Sequence, residues 1–309
     1  MKRLIPYLFF FFICSSIFGA ADYFMPDRIG ISAKSIRIGG IESFDDTSAS
    51  IFGNPAGLYR VSNFSLSMFS TTIMDEVDYR NVSFAISTPL GTLGVGYFMQ
   101  GVDDIPLTTS SNTGGDWISD IYVEEIGSFS YKNNMLKLAL QFSQTEMLHF
   151  GISGVYYSNE IYNVTGSGYN MDLGLILDAD PLAFSLHLKN IMSSEKITYS
   201  NNGHENLSLQ SFYSLRYNLN ELRAFAQMKI LGSNQRFVKS FGLQYSPSFA
   251  PFIFLSGGFK EDYVLTDIVS RVTGGVGLSL FGIQFDYAYE ESDHIEFDNK
   301  HYFSFGISY

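Results

Sequence analysis

From residue 64 to the end of the chain, apolar and polar residues alternate in short segments that are separated by turn residues. In one such segment, Ile283, Phe285 and Tyr287 alternate with Gln284 and Asp286. A two-residue period is typical of β-strands that have one apolar face. We count fourteen segments of this kind, at 64–68, 80–86, 93–99, 122–131, 149–158, 169–177, 182–189, 207–217, 222–230, 236–245, 252–259, 272–280, 283–290 and 301–309. The pattern predicts an all-β fold built from antiparallel strands.

The composition indicates where such strands are located. Aromatic residues make up 16% of the chain, and charged residues also make up 16%, against about 25% in soluble domains. Barrel strands face lipid with alternate residues only, so the average hydropathy of a membrane barrel stays near zero. We therefore predict a 14-stranded antiparallel transmembrane β-barrel over 62–309. A secreted β-sandwich or solenoid with an aromatic core is the alternative.

The first 21 residues have the pattern of a secretory signal peptide. Two basic residues precede an apolar run over 4–18, which is shorter than the roughly 20 apolar residues of a membrane helix. Small residues then suit cleavage after Ala20 or Ala21. The only cysteine, Cys14, lies in the apolar run, so we expect a mature chain without disulfides.

Loop lengths predict which end of the barrel faces the periplasm, because bacterial barrels have short periplasmic turns and longer outer loops. We place a long loop at 101–121 outside and expect turns near residues 89 and 132 on the periplasmic side. Residues 133–148 are open to two interpretations. As a strand they would raise the strand count to an odd number. We therefore interpret them as a periplasmic connector or short amphipathic segment.

Residues 35–58 have the pattern of neither a strand, a hairpin loop nor a signal, and they suit a packed lumen plug. Gly39 and Gly40 permit a tight bend with close backbone approach. We expect two turns of helix over 47–52, with Asp45 or Asp46 as the cap of the first turn.

The second half of this stretch supplies the candidate site. We expect Gly53 in the left-handed conformation after the last helical turn, and Pro55 to prevent the helix from continuing. Four apolar side chains need a surface to bury against and are our candidate ligand-binding residues: Phe44, Ile51, Phe52 and Leu58. We assign residues 22–61 to a periplasmic N-terminus and lumen plug. A plug is expected because a 14-stranded lumen lies between eight-stranded barrels filled by side chains and larger barrels that leave an aqueous channel.

The order of residues in this stretch resembles the N-terminal signature of the FadL/PorV superfamily of outer-membrane barrels. The matching residues are Gly39, Gly40, Asp45, Asp46, Ser48, Ala49, Asn54, Pro55, Ala56, Gly57 and Leu58. The chain departs from families near FadL at Glu42 and Ser43, where those families usually have a small residue or alanine. It departs again at Gly53, where they often have a large residue.

The resemblance implies passive uptake of hydrophobic, fatty-acid-like small molecules through a plugged barrel. PorV-like proteins have a similar signature but serve type IX protein secretion as docking or shuttle barrels, without transporting a small molecule. The signature does not separate the two functions, so the partner is either a hydrophobic solute or a secretion protein.

An outer-membrane enzyme is a third and weaker option. The sequence contains no G-x-S-x-G motif, and its five histidines show neither HxxxH nor HExxH spacing. We therefore expect no catalytic residues, metal or cofactor. The glycine-rich segment 273–277 lies within strand alternation, so packing and barrel curvature explain it better than phosphate binding. An acidic net charge of −12 also argues against nucleic-acid binding, because phosphate contacts need a cationic surface.

The final segment, 301–309, alternates aromatic and small residues and ends on Tyr309. It resembles the C-terminal signal by which outer-membrane barrels are recognised for assembly. We therefore expect the barrel-assembly machinery and outer-membrane lipid as partners. The expected location is the outer membrane of a Gram-negative-type bacterium, after cleavage of the signal peptide.

Overall fold

A computed structural model describes residues 22–73, 76–112, 121–232, 236–264, 267–292 and 299–309. The predicted signal peptide and its cleavage site lie outside these residues. The strands are β1 Phe64–Ile73, β2 Val77–Thr88, β3 Gly91–Asn112, β4 Ile121–Ser143, β5 Leu148–Ile161, β6 Val164–Ala179, β7 Leu182–Lys189, β8 Lys196–Tyr199, β9 His204–Asn206, β10 Gln210–Leu219, β11 Leu222–Leu231, β12 Arg236–Tyr245, β13 Ile253–Val264, β14 Asp267–Leu280, β15 Ile283–Glu290 and β16 Lys300–Ser308. The strands are preceded by helix α1, Ala33–Arg37, and by 3-10 helices at Pro26–Ile29, Ser48–Ile51 and Pro55–Arg60. Within the described ranges, no helix is long and apolar enough to cross a membrane.

Fourteen of the strands close into an antiparallel barrel. β1 pairs with both β2 and β16, and sequence neighbours pair around the rest of the wall except at β7, which pairs with β10. The intervening β8 and β9 form a small hairpin beside the first residues of β6. The predicted 14-stranded antiparallel barrel is therefore confirmed.

The two ends of the barrel differ in their connections. At one end short turns join the strands, such as residues 89–90 between β2 and β3 and residues 281–282 between β14 and β15. The barrel strands also begin and end there, since the Phe64 amide donates a hydrogen bond to the Tyr309 carbonyl at 3.0 Å. At the opposite end, β7 is joined to β10 by the much longer connection 190–209, which contains the β8–β9 hairpin. Short turns face the periplasm in bacterial barrels, so we call the first end periplasmic and the opposite end outer.

The alternation sorts side chains between the lumen and the lipid. In β1, Ser65 and Ser67 are buried in the lumen, whereas Phe64 and Met68 are exposed on the outside. The same pattern recurs around the wall, with polar side chains inside and an apolar belt outside. Hydrocarbon can surround such a barrel because the backbone groups of neighbouring strands pair with one another around the wall.

The interpretation of residues 133–148 as a periplasmic connector is wrong. β4 continues without interruption through residues 133–143 and pairs with β3 on one side and β5 on the other. The turn expected near residue 132 lies instead at residues 144–147. β3 and β4 have 22 and 23 residues, about twice the 9–11 that cross a bilayer. The single long strand β4 was therefore predicted as a strand followed by a connector. Much of the predicted outer loop at 101–121 is also strand, because β3 continues to Asn112.

Residues 22–61 run through the lumen from the outer end to the periplasmic end, and we call them the plug. The Tyr23 amide donates to the carbonyl of Asn206, in the outer hairpin, at 3.0 Å. At the other end, Arg60 pairs with Asp178, near the end of β6, also at 3.0 Å. The prediction placed the start of this segment in the periplasm, whereas the structure places it at the outer end, where it pairs with the hairpin.

Candidate functional site

The first helix of the plug is held by its cap and followed by a bend. The Ser32 hydroxyl caps α1 by accepting a hydrogen bond from the Ser35 amide at 3.1 Å. Gly39 and Gly40 follow the helix with φ angles of 83° and 70°, in the left-handed region that favours glycine. A Cβ on Gly39 would also overlap the carbonyl of Phe241 in the wall. The glycine pair therefore forms the expected bend and lets the plug backbone touch β12.

The helix expected over 47–52 is shorter than predicted. One 3-10 turn spans Ser48–Ile51, and its cap is Thr47, whose hydroxyl accepts from the Ala49 amide at 3.2 Å. Asp45 instead holds the capping residue in place: its carboxylate accepts from the Thr47 amide at 2.9 Å and from the Thr47 hydroxyl at 2.7 Å. Asp45 thus fixes the capping residue and is not itself the cap.

The other motif residues also differ from expectation. Asp46 is exposed and pairs with Lys34, whose ammonium group lowers the pKa of Asp46 to about 2. Gly53 does not have a positive φ, and a Cβ there would overlap the Glu42 carbonyl, so close approach explains this glycine. Pro55 begins the next 3-10 helix, which also contains Gly57.

Asn54 fastens the plug to the wall. Its Oδ1 accepts from the Ala56 amide at 2.9 Å, and its Nδ2 donates to the Ser185 hydroxyl at 2.7 Å and to the Leu186 carbonyl at 3.1 Å. The side chain is fully buried. It fits because the facing wall residue is Gly174, where a Cβ would overlap Asn54 Oδ1.

We expect Asn54→Asp to weaken plug docking. The substitution keeps the shape but removes both N–H donors and places a carboxylate against the Leu186 carbonyl. Leaving buried polar groups unpaired costs about 1–3 kcal/mol, and more for a charged group. Hydrogen exchange of the plug amides should become faster, while exchange in the barrel strands stays unchanged.

Asn63→Asp is the matched control, because Asn63 is exposed and lies just beyond the plug. Equal exchange in the two variants would show that the Asn54 contacts do not hold the plug.

Glycines on the lumen face of the wall make room for the plug. A Cβ at any of the following wall positions would lie within 3 Å of plug atoms: Gly96, Gly151, Gly174, Gly242, Gly258, Gly275 and Gly277. The last two belong to the glycine-rich segment 273–277. Packing against the plug explains their presence, as the sequence indicated.

Buried charges also cross from plug to wall. Arg37 is completely buried, and it donates to Asp286 at 3.1 Å and to Gln244 at 3.2 Å. Three further pairs join plug carboxylates to wall ammonium groups: Asp27–Lys189 at 2.9 Å, Glu42–Lys189 at 3.4 Å and Glu42–Lys229 at 2.7 Å. These pairs explain why the chain has an acid at position 42, where the signature usually has a small residue.

The four predicted ligand-binding residues lie inside the packing between plug and wall. None of Phe44, Ile51, Phe52 and Leu58 is more than 4% exposed. Three of them share one apolar cluster, in which the Phe52 ring meets Phe98 edge-on at 5.5 Å between centroids. Phe44 belongs to a second cluster. Their role in ligand binding stays a prediction.

A cleft of about 440 Å³ lies at the outer end, where the plug meets the β8–β9 hairpin. Four aromatic side chains form much of its lining: Tyr23, Phe24, Tyr131 and Tyr199. Asn159 and Glu205 add polar groups. In the described part of the chain, no group of three or more His, Cys, Asp or Glu side chains is placed to hold a metal ion.

Sequence reasoning missed this cleft because its walls come from distant segments. The plug supplies Tyr23 and Phe24, and the hairpin supplies Tyr199 from the stretch between the predicted strands 182–189 and 207–217. The signal available there was the two-residue spacing of Ile197 and Tyr199, the pattern of a short strand.

The barrel is similar to solved structures of two toluene transporters and of a FadL homologue. TodX of Pseudomonas putida matches 93% of this chain and 97% of its own, with a TM-score of 0.60 at 12% identity. TbuX of Ralstonia pickettii matches 91% and 98%, with a TM-score of 0.58 at 14% identity. A FadL homologue of Pseudomonas aeruginosa matches 91% and 98%, with a TM-score of 0.55 at 9% identity. No protein-family model and no curated protein matches the chain. The fold is that of a FadL-type barrel, as the N-terminal signature indicated.

Proposed function

We propose that this chain is an outer-membrane channel for the passive uptake of small hydrophobic molecules. The observation that carries this proposal is the construction of the outer cleft. Its aromatic wall includes Tyr23 and Phe24, which are the first residues of the plug after Asp22. A solute in the cleft therefore touches the segment that closes the lumen.

The described part of the plug packs closely against the wall, so passage along this route requires the plug to move. Arg37, Ile51 and Phe52 are completely buried between plug and wall. A ligand shifts the equilibrium between a closed and an open plug only if it binds the open arrangement better than the closed one. A solute that contacts Tyr23 and Phe24 touches the plug itself, so its affinity can differ between the two arrangements. No energy source enters the proposal, because diffusion down a gradient is sufficient.

Two of the similar structures are described as toluene transporters and a third as a FadL homologue. Their descriptions support an apolar solute for this chain. A fatty-acid-like solute, which the N-terminal signature implies, is one member of this class. The candidate residues Phe44, Ile51, Phe52 and Leu58 would then be met after the plug moves, as the solute passes inward.

Docking of a secretion protein is the second candidate function. The observation that favours it is the same close packing of plug and wall, since a barrel that serves only as a platform has no need of an open path. In this alternative the partner binds the outer end, and no small molecule crosses.

A reversible lock on the plug tests the proposal. The Ser43 and Ser214 hydroxyls are 2.9 Å apart, one on the plug and one on β10, so a cysteine pair there can form a disulfide. Gram-negative cells that lack other channels of this kind would express Ser43→Cys/Ser214→Cys. We expect the initial uptake of labelled toluene and oleate to fall, on oxidation, to the rate of cells without the protein, and to recover on reduction.

Ser43→Cys alone is the control, because it cannot form the lock. Uptake that continues with the plug locked would overturn the proposed gate. An absence of uptake in every form, together with a protein that co-purifies in equal amount, would favour the docking function.

A further inference from the structure

The outer cleft contains a buried hydrogen-bond acceptor that has no donor among the described residues. Asn159, on β5, is 7% exposed and lines the cleft. Its Nδ2 donates to the Tyr199 hydroxyl at 3.3 Å. Among the described residues, nothing donates a hydrogen bond to its Oδ1. A buried acceptor without a donor is costly, and native structures contain few of them.

The hydroxyls of Tyr23 and Tyr199 are already engaged as donors, and the Tyr131 hydroxyl, which lies close to the Asn159 side chain, makes no hydrogen bond to Oδ1. The Tyr199 hydroxyl donates to Glu205 at 2.6 Å. The Tyr23 hydroxyl donates to Asn133 Oδ1, and burial raises the pKa of Tyr23, so this hydroxyl keeps its proton. The amide of Asn133 donates in turn to the Phe24 carbonyl at 2.9 Å. Asn159 Oδ1 is therefore the position where an incoming donor gains a partner.

The rest of the lining determines the shape and polarity of what fits. The rings of Tyr23, Phe24, Tyr131 and Tyr199 surround the space, and aromatic rings favour offset or edge-on contact with another ring. The volume of about 440 Å³ suits a molecule of one or two rings.

We propose that the preferred solute is a flat aromatic molecule with one hydroxyl donor, such as a phenol or naphthol, and that this hydroxyl donates to Asn159 Oδ1. The inference rests on the proposed uptake function and narrows its solute class. Apolar contact with the rings supplies most of the affinity. The hydrogen bond supplies the selectivity over hydrocarbons and fatty acids, because an acceptor left unpaired penalises solutes that lack the donor.

The test compares two probes of nearly equal shape, 2-naphthol and 2-methylnaphthalene, which differ by a hydroxyl and a methyl group. Dissociation constants are measured by fluorescence titration of the purified full-length protein in detergent. We expect 2-naphthol to bind about tenfold more tightly, the size of one buried hydrogen bond.

Asn159→Leu removes the acceptor at similar volume. We expect it to weaken 2-naphthol binding about tenfold and to leave 2-methylnaphthalene binding equal or tighter. A purely structural loss would weaken both probes together, so the comparison separates recognition from damage. Asn218→Leu is the matched control, since Asn218 Oδ1 also lacks a donor among the described residues but lies at the periplasmic end.

Equal binding of the two probes to the unchanged protein would overturn the proposal, and so would a parallel loss of both in Asn159→Leu. In either case the uptake function still stands if the locked plug stops toluene and oleate entry. Failure of both probes to bind would also overturn the aromatic solute class, and the uptake measurement would then decide the transport function independently.

Discussion

Arg37→Met is expected to release the plug from the wall while the barrel stays folded. The substitution removes a completely buried guanidinium and leaves Asp286 buried without its cation. Breaking a buried pair in this way costs about 3–5 kcal/mol, because the remaining charge is uncompensated. The barrel strands keep their backbone hydrogen bonds. The substitution therefore weakens the docking of the plug and leaves the stability of the barrel unchanged. In planar lipid bilayers, the unchanged protein should be closed to ions and the variant should conduct.

Two further variants make the result specific. Arg80→Met removes an exposed arginine that pairs with Asp78 on the outer face, and such pairs contribute only about 0–1 kcal/mol. It should stay closed. Arg37→Met/Asp286→Leu removes both buried charges and should close again, since an apolar pair of similar volume often replaces a buried ion pair without loss. Conductance that persists in the double variant would show that the arginine acts through something other than this pair.

Gly258→Ala is expected to have the second large effect. A Cβ at Gly258 would overlap the backbone of Ile38 and Gly39, which cannot rotate away as a flexible side chain would. Overpacking of this kind typically costs about 1–3 kcal/mol, and the cost is greater where only backbone can yield. The plug should detach from the wall in the variant, so trypsin should cleave after Lys34 and Arg37.

The neighbouring residue provides the control for this prediction. Gly257 lies on the lipid side of the same strand, and the nearest atom to a Cβ there is the Thr273 carbonyl oxygen at 3.8 Å. Gly257→Ala should therefore resist trypsin as well as the unchanged protein does. Equal protection of the plug in both variants would show that close backbone approach at Gly258 is not required.

Sequence alone predicted the barrel because its main signal is local. Alternation of small polar and large apolar residues, as in β1, is visible within five residues and does not depend on the neighbouring strand. The strand count needed a second argument, that bacterial barrels have an even number of strands, and the closure of the sheet was inferred from composition. The error at residues 133–148 has a physical cause. A strand that continues beyond the membrane leaves the lipid, but its backbone hydrogen bonds to the neighbouring strands continue, so one long strand can be mistaken for two elements.

The site was less predictable because its partners are distant in sequence. The motif around Asn54 was recognised from the sequence. Nothing in the sequence indicated that the wall residues Gly174 and Ser185 would both contact Asn54. The same holds for Asn159 and Tyr199 in the cleft, which meet only after the barrel closes. The capping prediction for the short helix at Ser48–Ile51 was wrong for a local reason, because the Asp45 carboxylate binds the Thr47 amide and hydroxyl, and the Thr47 hydroxyl accepts from the Ala49 amide.

The route of the plug constrains the order in which the protein folds. Arg37 is separated from Asp286 by 249 residues, and Asn54 from Ser185 by 131. The amino-terminal segment emerges first, yet its binding surface is complete only when β15 and β16 are in place. Contacts of such high sequence separation make folding slow, since the loop between them must be ordered before they form. The plug thus precedes every barrel strand in the sequence but is the last segment to find its partners, and the barrel must close around a segment that it cannot yet hold.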